Sequence, residues 1–135
     1  MLRILVVDDD ATIRDSIALV FRGVGIEAVA AENGERALEA FEHGVFDGAI
    51  IDLMMPGMSG LETIHALRAR APDLPVIVVS GSLMQGLVAP QMLRTAMELE
   101  GVSSLSKPFR VDALLQQVGE RFAVVLPKIG VAPAA

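Results

Sequence analysis

Residues 2–7, 46–51 and 76–79 are short, mostly apolar runs, and these and the mixed stretch 102–105 each stop at or just before a polar group: Asp8-Asp9-Asp10, Asp52, Ser80 and Lys107. A strand with one wet face alternates apolar and polar residues. Ile4-Leu5-Val6-Val7, Gly48-Ala49-Ile50-Ile51 and Val76-Ile77-Val78-Val79 do not alternate. Runs of this kind suit strands buried on both faces, as in a parallel sheet covered by helices. Ligands of such sheets sit beyond the carboxyl ends of the strands, where these polar groups fall.

Helical spacing fills the intervals. Ile13, Ile17, Val20, Phe21 and Val24 form an apolar stripe that Gly23 and Gly25 interrupt. Residues 27–30 read as a short, weak strand. Asn33-Gly34 then supplies a turn and cap for a helix carrying Ala37, Leu38 and Phe41. Ser59-Gly60-Leu61-Glu62 has the capping-box pattern, and Leu61, Ile64 and Leu67 follow on the inward stripe until Pro72. After Pro75 and the fourth strand, residues 81–101 hold a loop and a helix with Met92, Leu93, Ala96, Met97 and Leu99. A fifth helix carries Val111, Leu114, Leu115, Val118 and Phe122. Five strand-then-helix units with short connections predict an α/β fold with right-handed crossovers and helices on both faces.

The 135 residues suit one domain, expected over 1–122, with a small apolar tail at 123–135 and no effector domain. The absence of Cys excludes disulfides and thiolate metal sites. A net charge of -6 and a pI near 4.8 argue against nucleic acid as a partner, because phosphate neutralisation needs clustered Lys and Arg. Charges interrupt the apolar stretches well short of a bilayer-spanning length, and Met1-Leu2-Arg3 leads into a strand. A cytoplasmic protein without membrane insertion is expected.

If the sheet is parallel, Asp8, Asp9, Asp52, Ser80 and Lys107 converge on one edge. Three carboxylates close together repel unless a cation balances them, and an all-oxygen donor set suits a hard ion such as Mg²⁺. Read from the residues alone, Asp9 and Asp52 hold the ion and Asp8 acts through water. A carboxylate beside Mg²⁺, an ammonium and a hydroxyl is equipped to receive a phosphoryl group, with Asp52 attacking. Asp10 is read as a helix N-cap. His43 and His65 are read as surface residues. Met54, Met55 and Met58 suit either a soft partner-binding patch or packing around the loop. Pro108 after Lys107 makes a rigid turn that suits a cis bond.

The Asp pair after the first strand, Asp52 followed by Met55-Pro56 and Met58-x-Gly60, the Ser80 strand end and Lys107-Pro108-Phe109 together resemble the receiver domains of two-component response regulators, over about residues 2–122. The resemblance implies a flavodoxin-like, doubly wound five-stranded parallel sheet in the order 2-1-3-4-5. It implies that Asp52 accepts the phosphoryl group, and that Asp8, Asp9, Asp52 and the Met54 carbonyl arrange Mg²⁺, for which Mn²⁺ can substitute. Lys107, Ser80 and Gly81 would contact the phosphoryl group, and Met54 and Ser82 would tune the lifetime of the modified state. The implied partners are a histidine kinase or histidine phosphotransfer protein and a downstream protein target; a homodimer is compatible with the pattern. The implied role is signalling rather than enzymatic.

Two departures stand out. Ser104 occupies the position where receivers commonly carry Tyr or Phe, so an aromatic switch coupled to Ser80 cannot operate in its usual form. Ser80 and Lys107 are 107 - 80 = 27 positions apart, several more than usual, with the extra residues around 81–86.

Two other readings compete. Residues 4–12 also resemble the nucleophile motif of haloacid-dehalogenase-like phosphatases, with Asp8 as nucleophile and Asp10 as acid/base. The acidic pair such enzymes need after the lysine is represented only by the separated Asp112 and Glu120. A phosphorylation-independent receiver-like scaffold would account for Ser104.

Overall fold

A computed structural model describes residues 2–81 and 88–122, without the side chains of 88 and 89, as five alternating strands and helices. They are β1 (Arg3–Val7), α1 (Ala11–Gly23), β2 (Glu27–Ala31), α2 (Gly34–Glu42), β3 (Gly48–Asp52), α3 (Gly60–Arg70), β4 (Val76–Ser80), α4 (Val88–Met97), β5 (Val102–Ser106) and α5 (Val111–Arg121). The strands form one parallel sheet in the order β2-β1-β3-β4-β5, as the resemblance implies. Ser82 and the segment 123–135 lie outside the described residues.

The two-residue period of a strand divides the core between the sheet faces. Leu5, Val7, Ala49, Ile51, Val76 and Val78 pack with Ala37 of α2, Ile64 and Leu67 of α3 and Ala96 of α4. Ile4, Val6, Ile50, Ile77, Val79 and Leu105 face Ile17 and Phe21 of α1 and Leu114 and Val118 of α5. Each fully buried Val, Leu, Ile or Phe among them contributes roughly 1.5–3 kcal/mol of transfer free energy.

Local signals set the helix starts. Asp10 caps α1 by accepting the Thr12 N–H at 2.9 Å, Asn33 caps α2 by accepting that of Arg36 at 2.8 Å, and both halves of the Ser59/Glu62 capping box are formed. β3 begins two residues later than the apolar run suggests: the Asp47 N–H donates to Arg3 O at 2.8 Å, but the regular register with β1 starts only at Gly48, and Phe46 and Asp47 also engage through their side chains. The Phe46 ring stacks on Phe41 with centroids 5.4 Å apart, and the Asp47 carboxylate accepts the Arg3 N–H at 2.8 Å. α4 ends at Met97, so Leu99 lies beyond it, half-buried against the core, with its N–H donating to Ala96 O at 3.1 Å.

The loop after β3 is shaped by two glycines. Gly57 follows Pro56 with φ +75°, a conformation that favours glycine in a tight turn. Gly60 donates its N–H to Leu53 O at 2.9 Å, and a Cβ there would collide with the Asp52 carbonyl oxygen and stand 2.6 Å from Leu53 Cα. Neither obstacle is a flexible side chain. Gly60→Ala is therefore expected to destabilise the protein by about 1–3 kcal/mol, read as a lower urea midpoint at unchanged m-value; an unchanged midpoint would show that the loop yields.

Candidate functional site

The parallel register brings the carboxyl ends of β1, β3, β4 and β5 to one edge of the sheet. Asp52 is the last residue of β3 and Asp8 follows β1; they are 4% and 2% exposed, whereas Asp9 faces solvent. Oxygen atoms of Asp8, Asp9 and Asp52 lie within 4.8 Å of one another, so the cluster could hold a metal ion.

Lys107 enters between two of these acids. Its Nζ is 2.9 Å from Asp8 Oδ2 and 3.3 Å from Asp52 Oδ2. The free oxygens are engaged by backbone: Asp8 Oδ1 accepts the Asp10 N–H at 2.9 Å, and Asp52 Oδ1 accepts that of Met54 at 3.3 Å. The Asp8 carbonyl accepts from Arg14 Nη1 at 2.6 Å. Lys107 precedes a cis peptide bond to Pro108, and its own N–H donates to Ser80 O at 2.7 Å, tying the ends of β4 and β5 together.

Burial, then the nearby charge of Asp8, pushes the Asp52 carboxyl up to about 7, against the opposing pull of the Lys107 charge and hydrogen bond and the Met54 N–H. Burial alone would lower Lys107. Its hydrogen bond to Asp8 and the charges of Asp52 and Asp8 outweigh burial and hold it above its ordinary value.

The raised Asp52 value makes stability depend on pH. A carboxyl whose folded value exceeds its unfolded value near 3.8 contributes stability that is fully present below 3.8 and lost as pH rises through about 7. The metal-free protein is expected to melt at a lower temperature at pH 8 than at pH 6. A divalent cation held by the acid cluster would compete with that proton, so added Mg²⁺ should raise the melting temperature more at pH 8 than at pH 6; equal shifts would remove Asp52 from the linkage.

Ser80 ends β4 half-buried, with Gly81 beside it. Met54 is half-buried next to Asp52. Met55 is buried in the core and the Met58 side chain packs beside Gly34, which favours loop packing for these two. His43 and His65 are exposed. At Ser104 the backbone carbonyl accepts from Gln117 Nε2 at 2.7 Å, while Ser103 Oγ donates to Gln117 Oε1 at 2.9 Å. A groove of about 420 Å³ lined by Met97, Ser104 and Gln117 lies alongside.

Sequence reading passed over Arg14 and Gln117. The signal for Arg14 was a basic residue on the inward stripe of α1, three before Ile17 and seven before Phe21. Gln117 had no such signal, because its partners are 13 and 14 residues away on another element.

A strand-end acid cluster bridged by lysine in a 2-1-3-4-5 parallel sheet is the arrangement of a receiver. The family model for the response regulator receiver domain matches residues 4–119, and the chain belongs to that family. Response regulator MprA of Mycobacterium sp. (strain KMS) is 33% identical over 118 residues, 86% of this chain and 48% of that protein. The sensory transduction protein RegX3 of Mycolicibacterium smegmatis is 40% identical over 80 residues, 59% of this chain and 35% of that protein. The chain spans about half the length of the curated relatives it resembles over 118 residues.

Among solved structures, response regulator TrrA from Thermotoga maritima, in complex with Mg²⁺-BeF, is 32% identical with a TM-score of 0.74, covering 90% of this chain and 99% of that one. Chemotaxis protein CheY4 of Vibrio cholerae is 26% identical with a TM-score of 0.78, covering 89% and 98%. Response regulators work with histidine kinases in two-component signalling. Among the described residues no helix is long and apolar enough to cross a membrane.

The Asp10 carboxylate accepts the Thr12 N–H and caps α1, as its N-cap reading expects.

Proposed function

We propose that the chain is a phosphoryl-accepting switch whose acceptor is Asp52. A carboxylate oxygen of Asp52 attacks phosphorus on a phosphohistidine of a histidine kinase or phosphotransfer protein; the O–P bond forms, the N–P bond breaks, and the imidazole leaves. The observation that carries this reading is a buried strand-end carboxylate 3.3 Å from Lys107 and within reach of two further acids.

The donor set fits Mg²⁺, or Mn²⁺ in its place, because it is made of carboxylate oxygens without sulfur or imidazole. Asp8, Asp9, Asp52 and the Met54 carbonyl would hold the ion, which when bound offsets charge on the phosphoryl oxygens. The Mg²⁺-BeF complex of TrrA supports this choice. Lys107 is placed to meet a phosphoryl oxygen, and the Ser80 hydroxyl and Gly81 N–H lie at the neighbouring strand end. Met54, next to the acceptor, controls water access and hence lifetime, with Ser82 in the same role.

Charge added at Asp52 favours whichever loop conformation brings Ser80 and Lys107 closer, shifting an existing equilibrium. The bond from Lys107 N–H to Ser80 O makes the ends of β4 and β5 respond together. With Ser104 in the aromatic position, the signal reaches the surface through these loops rather than through a ring.

Incubation with acetyl phosphate or beryllofluoride and Mg²⁺, comparing wild type with Asp52→Asn and Asp8→Asn, tests the reading. Modification confined to Asp52 is expected. Turnover dependent on Asp8 would point to a phosphatase, and a chain that stays unmodified yet binds its target would be a scaffold.

A further inference from the structure

Arg14 is half-buried in the first turns of α1, with its guanidinium turned back on the loop of acids that precedes the helix. Its Nη1 donates to the Asp8 carbonyl at 2.6 Å, and its backbone N–H donates to the Asp10 carbonyl at 3.1 Å. Between these two anchors, Asp10 N–H donates to Asp8 Oδ1 at 2.9 Å, and the Asp10 carboxylate accepts the Thr12 N–H at 2.9 Å. On the other side, Asp8 N–H donates to Ala31 O at 3.2 Å. Residues 8–10 are thus joined to α1 by the Asp10 cap and the first helical backbone bond, and the Asp8 carbonyl is held by one side chain, that of Arg14. Lys107 occupies Asp8 Oδ2, whereas Arg14 leaves both carboxylate oxygens of Asp8 free of its own contact.

We propose that Arg14 is a positioning residue for the acid loop, holding Asp8 and Asp9 in the arrangement that lets them share a divalent cation with Asp52. This rests on the cation-assisted acceptor reading above. Two alternatives predict different results. If the guanidinium mattered only as a charge, it would repel the cation, and its removal would tighten binding. If it only stabilised the fold, its removal would lower the melting temperature and leave affinity alone.

The test is titration of the full chain with Mn²⁺, followed by the electron paramagnetic resonance signal of the free ion. Wild type, Arg14→Met and Arg14→Lys are compared, each with its metal-free melting temperature. Arg14→Met keeps the aliphatic stem but neither the bond nor the charge, and affinity should fall about tenfold or more, the usual effect of losing a group that orients a ligand. Arg14→Lys keeps the charge and a shorter-reaching donor, and an intermediate loss is expected.

Unchanged or tighter binding by Arg14→Met overturns the proposal. Should Arg14→Met fail to fold, Arg14→Lys decides: affinity equal to or above wild type overturns it. A wild type that takes up no Mn²⁺ overturns the acceptor reading and this inference with it, whereas wild-type uptake without any effect of Arg14 overturns the inference alone.

Discussion

Asp52→Asn is expected to abolish acyl-phosphate formation from acetyl phosphate and Mg²⁺ while leaving the metal-free protein more stable than wild type at pH 8. The amide is nearly isosteric but its nitrogen lone pair is delocalised, so no competent nucleophile remains. The gain in stability comes from the same site. Burial and the neighbouring Asp8 push the Asp52 carboxyl up to about 7, so its ionised form is costly above that pH. Removing it should raise stability at pH 8 by about 1–2 kcal/mol, while Lys107 keeps its 2.9 Å pairing with Asp8. Intact mass before and after hydroxylamine, with urea unfolding alongside, reads both effects. Modification that survives in the variant would remove Asp52 as acceptor. A variant less stable than wild type would contradict the electrostatic account.

Lys107→Met should have the opposite effect on stability. The ammonium lies between Asp8 and Asp52, and the variant leaves two buried carboxylates facing each other. Breaking one partner from a buried pair costs about 3–5 kcal/mol. The loss should be largest in metal-free protein at pH 8 and shrink toward pH 6. Without the lysine, Asp52 rises further and takes up a proton more readily, which relieves the repulsion. Mg²⁺ should restore part of the stability at pH 8 and little of the phosphorylation, because the phosphoryl group still lacks its ammonium. Urea unfolding at both pH values, with and without Mg²⁺, measures this. An equal loss at both pH values would show that packing of the lysine stem, not its charge, had been removed.

These effects depend on a site only partly legible in the sequence. Asp8, Asp52, Ser80 and Lys107 were visible because each stands at the end of an apolar or mixed run, and a parallel sheet places such ends together. The caps at Asp10, Asn33 and Ser59 were visible because a helix start is a local hydrogen-bonding event spanning two or three residues. The regular pairing of β3 with β1 starts two residues later than the apolar run, at Gly48 opposite Ile4, a register set by another strand and not by a local pattern. Arg14 and Gln117 escaped because each bonds a backbone carbonyl, which any residue type supplies, and the Ser103 hydroxyl that also meets Gln117 lies on another element.

The sequence by itself determined the alternation of strand and helix and the acids and lysine at the strand ends, since periodicity and punctuation are local properties of the chain; the receiver class was legible only through the resemblance of its ordered motifs to that family. Only the tertiary structure decided which carboxylates share Lys107, how deeply Asp52 is buried, and that Arg14 holds the Asp8 carbonyl. The first two are set by distances between segments far apart in sequence, and electrostatic energy depends on those distances and on exclusion of water, neither of which a linear pattern contains; the third spans six residues but depends on a side-chain conformation that the pattern does not specify.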